Sequence, residues 1–230
     1  MQKLKLGVLV SGNGSNLQAI FDACEEKKID ATVEVVISNN PKAFALQRAQ
    51  QQNIPTPVIT NGPNFEKEIL KILKQHNVEL VCLAGFMKLL SPSFIKEYPQ
   101  RIINIHPALL PAFPGLHAQK RALESGAKIT GATVHFVDEG CDTGPIILQS
   151  EVAILENDTE ETLRERILKE EHKIYPQAIQ RIATQSLKVV EHKVLMTKQT
   201  NITLPPTPSP SARQPADRRG RGKGEGEEKI

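Results

Sequence analysis

Tryptophan is missing from this 230-residue chain, and aromatic side chains make up only 4% of it. A core must therefore be aliphatic, and the length suits one domain with a sizeable interior. Cysteine is scarce as well. Cys24, Cys82 and Cys141 are an odd number without zinc or redox spacing, which excludes a disulfide scaffold and fits a reducing, cytoplasmic setting. Cys24 and Cys82 lie in apolar surroundings and read as core. No apolar run is long enough to span a bilayer, and the run over residues 6–10 is too short for a signal peptide. Nor is there an excess of one charge. The formal net charge is +3, and the basic pI owes something to the C-terminal segment, so nothing global calls for nucleic acid or membrane.

What is present is alternation. Residues 4–10 form an apolar run of the kind expected for a buried parallel strand, and a helical pattern of Leu17, Ile20, Phe21 and Cys24 follows it. The spacing predicts further strands over residues 33–37, 58–60 and 78–84, and helices over 42–52, opened by Pro41, and 65–76. A short helix follows, capped by Ser91 with Pro92 at its first position. Another helix is expected over 118–125, and two strands over 131–137 and 146–152. Asp158 and Glu161 resemble a capping box opening a long helix, with Pro176 as a candidate kink. Repeated strand–helix alternation implies a doubly wound α/β sheet. Residues 131–152 hold no helix between their two strands, so that pair should be antiparallel, joined by the acidic loop 138–145. From residue 199 to 230 no apolar period survives. Residues 1–198 are therefore assigned to a single domain and 199–230 to a disordered, low-complexity tail.

Candidate chemistry sits at three places. Residues 101–115 read as a strand ending in a proline-stiffened loop. Side chains alternate along a strand, so Asn104 and His106 share one face and Ile103 and Ile105 the other. Two polar groups on one face, at the end where open α/β sheets bind ligands, either satisfy loop backbone or meet a ligand. Asp142 in the acidic loop is either turn chemistry or functional. Glu171 falls on the inward stripe of the last helix, formed by Leu163, Ile167, Ile174, Ala178 and Ile182, where a carboxylate needs a partner. Between the first strand and helix, residues 11–16 (Ser-Gly-Asn-Gly-Ser-Asn) put backbone N–H groups and a helix dipole where a phosphate could sit. A dinucleotide is disfavoured. The third glycine of that fingerprint is replaced by Leu17, and the second strand ends in Ser38, Asn39 and Asn40 without a ribose-binding acid.

These features, together with residues 83–87, Leu109–Pro111, Gly115 and the run Glu171-His172-Lys173-Ile174-Tyr175-Pro176, stand in an order and spacing that resembles the phosphoribosylglycinamide formyltransferases. The likeness runs over about residues 4–183. It implies a three-layer α/β/α formyltransferase fold, a mostly parallel twisted sheet with one antiparallel strand. It also implies formyl transfer from 10-formyltetrahydrofolate to the amine of glycinamide ribonucleotide. Carried over by residue, Asn104, His106 and Asp142 would be catalytic, and Gly14, Ser15, Asn16 and Glu171 would meet the ribonucleotide. Met87, Lys88, Leu89, Leu90, Asn104, Asp138, Gly140 and Cys141 would line the folate site. The implied partners are small molecules, with no metal, nucleic acid or membrane, and a monomer or weak homodimer. Three departures stand out: Ala108 replaces a common Ser, Gly62 replaces a basic residue, and Lys169 misses a phosphate-binding lysine's position. Lys88 or Lys67 would then meet the folate's anionic end. Two kinds of relative share parts of this pattern. Methionyl-tRNA formyltransferase would be expected to add a C-terminal domain, and formyltetrahydrofolate hydrolase an N-terminal one.

Overall fold

A computed structural model describes residues 3–197; the segment 199–230, read above as a disordered tail, lies outside the described residues. The elements follow the expected alternation. They are β1 (Leu4–Val10), α1 (Ser15–Glu25), β2 (Ala31–Ser38), α2 (Phe44–Gln51), α3 (Phe65–Gln75), β3 (Leu80–Leu83) and α4 (Pro92–Glu97). Next come β4 (Ile102–His106), α5 (Ala118–Glu124), β5 (Ile129–Phe136), β6 (Ile146–Ala153) and α6 (Glu160–Ala183), and last a hairpin of β7 (Leu187–Val190) and β8 (Lys193–Met196).

Six strands make the main sheet, in the order β2-β1-β3-β4-β5-β6. β1 to β4 pair in parallel, while β5 runs antiparallel to both β4 and β6. This is the mostly parallel sheet with one reversed strand that the sequence led us to expect. β3 and residues 6–10 of β1 are apolar because helices cover both faces, whereas β4 carries Asn104 and His106. On one face Leu6, Val8 and Val10 meet Leu17 and Ile20 of α1 and Leu163, Ile167, Ile174 and Ala178 of α6. On the other, Leu9, Val81 and Leu83 meet Ile69 and Leu73 of α3 and Phe94 of α4. Three layers result, with the ends of β1, β3 and β4 gathered along one edge. The chain goes from β1 outward to β2 and then returns to the other side of β1 as β3. That reversal opens a crevice at the carboxyl ends of β1 and β3.

Several local expectations change. The helix placed at 42–52 begins only at Phe44, because residues 41–42 are spent on a turn that the Asn40 side chain holds through the Lys42 amide. The strand placed at 58–60 is reduced to a single bridge between Ser38 and Val58. The strand placed at 78–84 shortens to Leu80–Leu83. α6 is capped by Thr159 with Thr162, not by Asp158 with Glu161. Asp158 instead receives the Leu155 amide and pairs with Arg166. The helix runs on through Pro176, which is buried. The β7–β8 hairpin was not foreseen.

Candidate active site

β4 and β5 build the centre. Antiparallel register sets Asn104 opposite His135 and His106 opposite Thr133. Asp142 arrives from the loop between β5 and β6, on a residue with φ of 56°, in the left-handed region. Its carboxylate gathers four groups. Oδ1 lies 3.3 Å from Asn104 Nδ2 and 3.4 Å from His135 Nε2. Oδ2 accepts from the Gly115 amide at 2.8 Å and lies 3.2 Å from His106 Nδ1. The loop after β4 thus supplies both an amide for Asp142 and the Phe113 carbonyl that faces His106 Nε2 at 2.9 Å. Asn104, His106 and Asp142, expected to converge from distant parts of the sequence, do meet.

The electrostatics follow from burial and these bonds. Burial by itself would raise the Asp142 pKa, but its contacts with His135, the Gly115 amide and His106 pull it down to about 2. For His106 the balance goes the other way. Its side chain is 5% exposed, and burial lowers its pKa below the ordinary histidine value. Asp142 and the Phe113 carbonyl oppose the shift without reversing it. The neighbouring carboxylate favours the charged ring, but desolvation outweighs it. With both ring nitrogens facing acceptors, Asp142 remains ready to stabilise a second proton on the ring.

His135 was not singled out from the sequence. It sits in a strand buried along almost its whole length, where a lone histidine reads as core. The usable signal is alternation: Thr133 and His135 share a face, and that face meets Asn104 and His106. The Nδ1–H of His135 donates to the Phe136 carbonyl at 2.8 Å, which leaves Nε2 toward Asn104 at 3.2 Å and toward Asp142.

The glycine turn lies at the same edge of the sheet. Gly14 has φ of 77° immediately before α1, and a Cβ there would come within 2.6 Å of the Ala45 Cβ. No side chain caps α1, so the amides of its first turn stay open for an anion. Arg48 braces the turn through the Asn13 carbonyl at 3.0 Å and the Asn13 side chain at 3.1 Å. Asn16 Nδ2 donates to Glu171 Oε2 at 2.7 Å. Glu171 is buried, and burial raises its pKa against the pull of Asn16. Tyr175, one turn further along α6, donates its hydroxyl to the carbonyls of Leu83 and Ile103 and fixes the helix over β3 and β4.

The loop after β3 faces solvent. Met87 and Leu89 are 62% and 80% exposed, Lys88 is exposed and Leu90 half-buried. Ser11 joins this loop to the glycine turn: its hydroxyl donates to Asn39 and accepts from the Met87 amide at 2.8 Å. Gly140 and Cys141 are exposed beside Asp142, and Asp138 is half-buried. Lys67 and Lys169 are exposed. Among the described residues no group of three or more His, Cys, Asp or Glu side chains could hold a metal ion, and no helix is long and apolar enough to cross a membrane.

Comparison with known proteins returns mainly formyltransferases, and also a formyltetrahydrofolate deformylase from Pseudomonas syringae that superimposes with a TM-score of 0.80 at 26% identity, over 85% of this chain and 66% of that one. Residues 4–179 match the Formyl transferase family. The chain is 42% identical over 208 residues to the phosphoribosylglycinamide formyltransferase of Escherichia coli K12, covering 88% of this chain and 97% of that one. It is 49% identical over 185 residues to the trifunctional purine biosynthetic protein adenosine-3 of Drosophila melanogaster, covering 77% of this chain but only 14% of that one. The chain thus spans a small part of the trifunctional relatives and nearly the whole of the bacterial one. Glycinamide ribonucleotide transformylase 1 from Symbiobacterium toebii superimposes with a TM-score of 0.83 at 46% identity, over 85% of this chain and 94% of that one.

Proposed function

The chain belongs to the formyl transferase family, as a phosphoribosylglycinamide formyltransferase relative, and from that premise we propose the reaction it carries out. It moves the formyl group of 10-formyltetrahydrofolate to the primary amine of 5-phosphoribosylglycinamide, giving formylglycinamide ribonucleotide in purine (IMP) synthesis. The observation that supports this most strongly is the single carboxylate of Asp142. It is met by His106, His135, Asn104 and the Gly115 amide, at a sheet edge that also offers an open helix start.

The chemistry asks little of a base and much of charge stabilisation. A primary amine of the α-amino type has a pKa near 8, so roughly a tenth is neutral at pH 7. When it attacks, a C–N bond forms and the carbonyl pair moves onto the formyl oxygen. Asn104 Nδ2 meets that oxygen, exchanging one of its long contacts of 3.2 and 3.3 Å for a shorter bond to developing charge. His106 supplies the second donor. It donates as the imidazolium, through Nε2 turned from the Phe113 carbonyl; the second proton comes from solvent, and Asp142 beside Nδ1 stabilises it. The amine proton passes by way of the Asp142 carboxylate and water to the departing folate nitrogen, and the C–N bond to folate breaks. Glu171 receives the substrate amine, and the turn at Gly14, Ser15 and Asn16 takes the phosphate. Met87 to Leu90, with Asp138, Gly140 and Cys141, take the folate. No nucleophilic Ser or Cys is needed, so the transfer is direct.

The test is to mix the protein with glycinamide ribonucleotide and 10-formyltetrahydrofolate and follow deformylation spectroscopically. The expected result is turnover that depends on the amine. Equal deformylation without the amine would make the protein a hydrolase, and a formyl-enzyme burst would rule out direct transfer.

A further inference from the structure

We propose that His192, at the turn of the β7–β8 hairpin, is a positioning residue that holds the Asp142 loop in its working geometry. This rests on the formyl-transfer reading above. Val190 pairs with Lys193, so Glu191 and His192 are the two residues of the turn. Their φ values are 47° and 65°. A two-residue turn with both residues in the left-handed region favours Asn-Gly, and Glu-His carries a steric penalty there. Something outside the turn must hold it. His192 Nε2 donates to the Thr143 carbonyl at 2.9 Å, and the same nitrogen lies 3.8 Å from Asp138 Oδ2.

The gripped carbonyl belongs to the residue that follows Asp142. The loop is anchored at its base, where a Cβ on Gly144 would come within 1.9 Å of the Phe136 carbonyl, and where the Phe136 amide donates to Pro145 at 2.9 Å. Inside the loop Asp138 Oδ1 accepts from the Gly140 amide at 3.1 Å and from Thr143 Oγ1 at 2.7 Å. Residues 139–141 and 143 are nevertheless exposed, and Asp142 is itself in the left-handed region. His192 supplies a hold from a different element, 49 residues away in sequence. Releasing it lets the peptide after Asp142 swing. That draws the carboxylate from His106 and shifts Asp138, Gly140 and Cys141 on the folate side. The glycine turn and Glu171 lie on other elements and stay put.

Two substitutions separate this role from simple turn formation. Asn accepts positive φ more readily than His, so His192→Asn suits the turn at least as well. Its amide is too short to reach Thr143, whereas Gln has the reach of the imidazole Nε2. His192→Asn should keep the wild-type melting temperature yet lose about fivefold to tenfold in kcat/KM for the formyl donor, as one hydrogen bond would give. The KM for the ribonucleotide should not move. Hydrogen exchange at the Gly115 amide, which donates to Asp142, should accelerate in His192→Asn, and His192→Gln should recover most of both losses. Wild-type kinetics and Gly115 exchange in His192→Asn, or no recovery in His192→Gln, would overturn the proposal. A wild-type protein without turnover would defeat the formyl-transfer reading instead, and the Gly115 exchange rates would still decide the tether.

Discussion

Asp142 and Glu171 are both carboxylates drawn out of water, and their surroundings send them in opposite directions. Asp142 has enough donors to overcome burial and titrates at about 2. Glu171 has Asn16, and burial prevails. A carboxyl whose folded pKa is raised contributes stability below its unfolded pKa of about 4.3 and loses it as pH rises through the folded value. Ionised Glu171 therefore weighs against the fold at neutral pH. Glu171→Gln is expected to melt higher than wild type at pH 7, with the gap closing toward pH 4, while its KM for the ribonucleotide rises. Thermal melts at the two pH values check the first part and steady-state kinetics the second. At this scale the sequence was uneven as a guide. Asn104 and His106 declared themselves by sharing a strand face, and Glu171 by breaking an apolar stripe. Asp142 looked like ordinary turn chemistry until the resemblance marked it. His135 stayed hidden because its meaning lies in register with Asn104 across an antiparallel pair, which no local pattern carries.

Elements were most legible where one face is buried and least where they are short. The stripe of α6 was readable, but its start was misplaced because Asp158 and Glu161 fit the capping template as well as Thr159 and Thr162 do. Asp158 is instead used by Arg166 and the Leu155 amide, a choice made by tertiary contacts. The strands β7 and β8 have four residues each and a Glu-His turn, so neither periodicity nor turn chemistry announces them. The antiparallel pair β5–β6 was legible because the loop between them leaves no room for a helix. α6 also gives the element-scale prediction. The Tyr175 hydroxyl ties it to Leu83 at the end of β3 and Ile103 near the start of β4, in full burial. Tyr175→Phe removes those bonds while keeping the ring, and should cost about 1 kcal/mol of stability. Urea denaturation measures it. The same variant should raise the ribonucleotide KM, since Glu171 sits one turn away on the same helix face.

For the whole molecule, the edge where β1, β3 and β4 end brings the chemistry together, and acid should take it apart. The lowered His106 pKa makes stability fall as pH drops below about 6.5 through the folded value. The depressed Asp142 pKa makes it fall again between about 4 and 2. Glu171 acts in the opposite sense. Urea midpoints measured from pH 7 down to pH 3 should therefore decline, and the early part of that decline should be smaller in His106→Asn, with His172, whose pKa burial also lowers, supplying the rest. The most direct single measurement is the kcat of Asp142→Asn in the amine-dependent deformylation assay. Asn keeps the shape of the side chain but takes away the charge that both imidazoles face. The expected result is a loss of at least about a hundredfold in kcat with both KM values near those of the wild type. A kcat within about threefold of the wild type would mean that the convergence on Asp142 shapes the loop and does not drive the reaction.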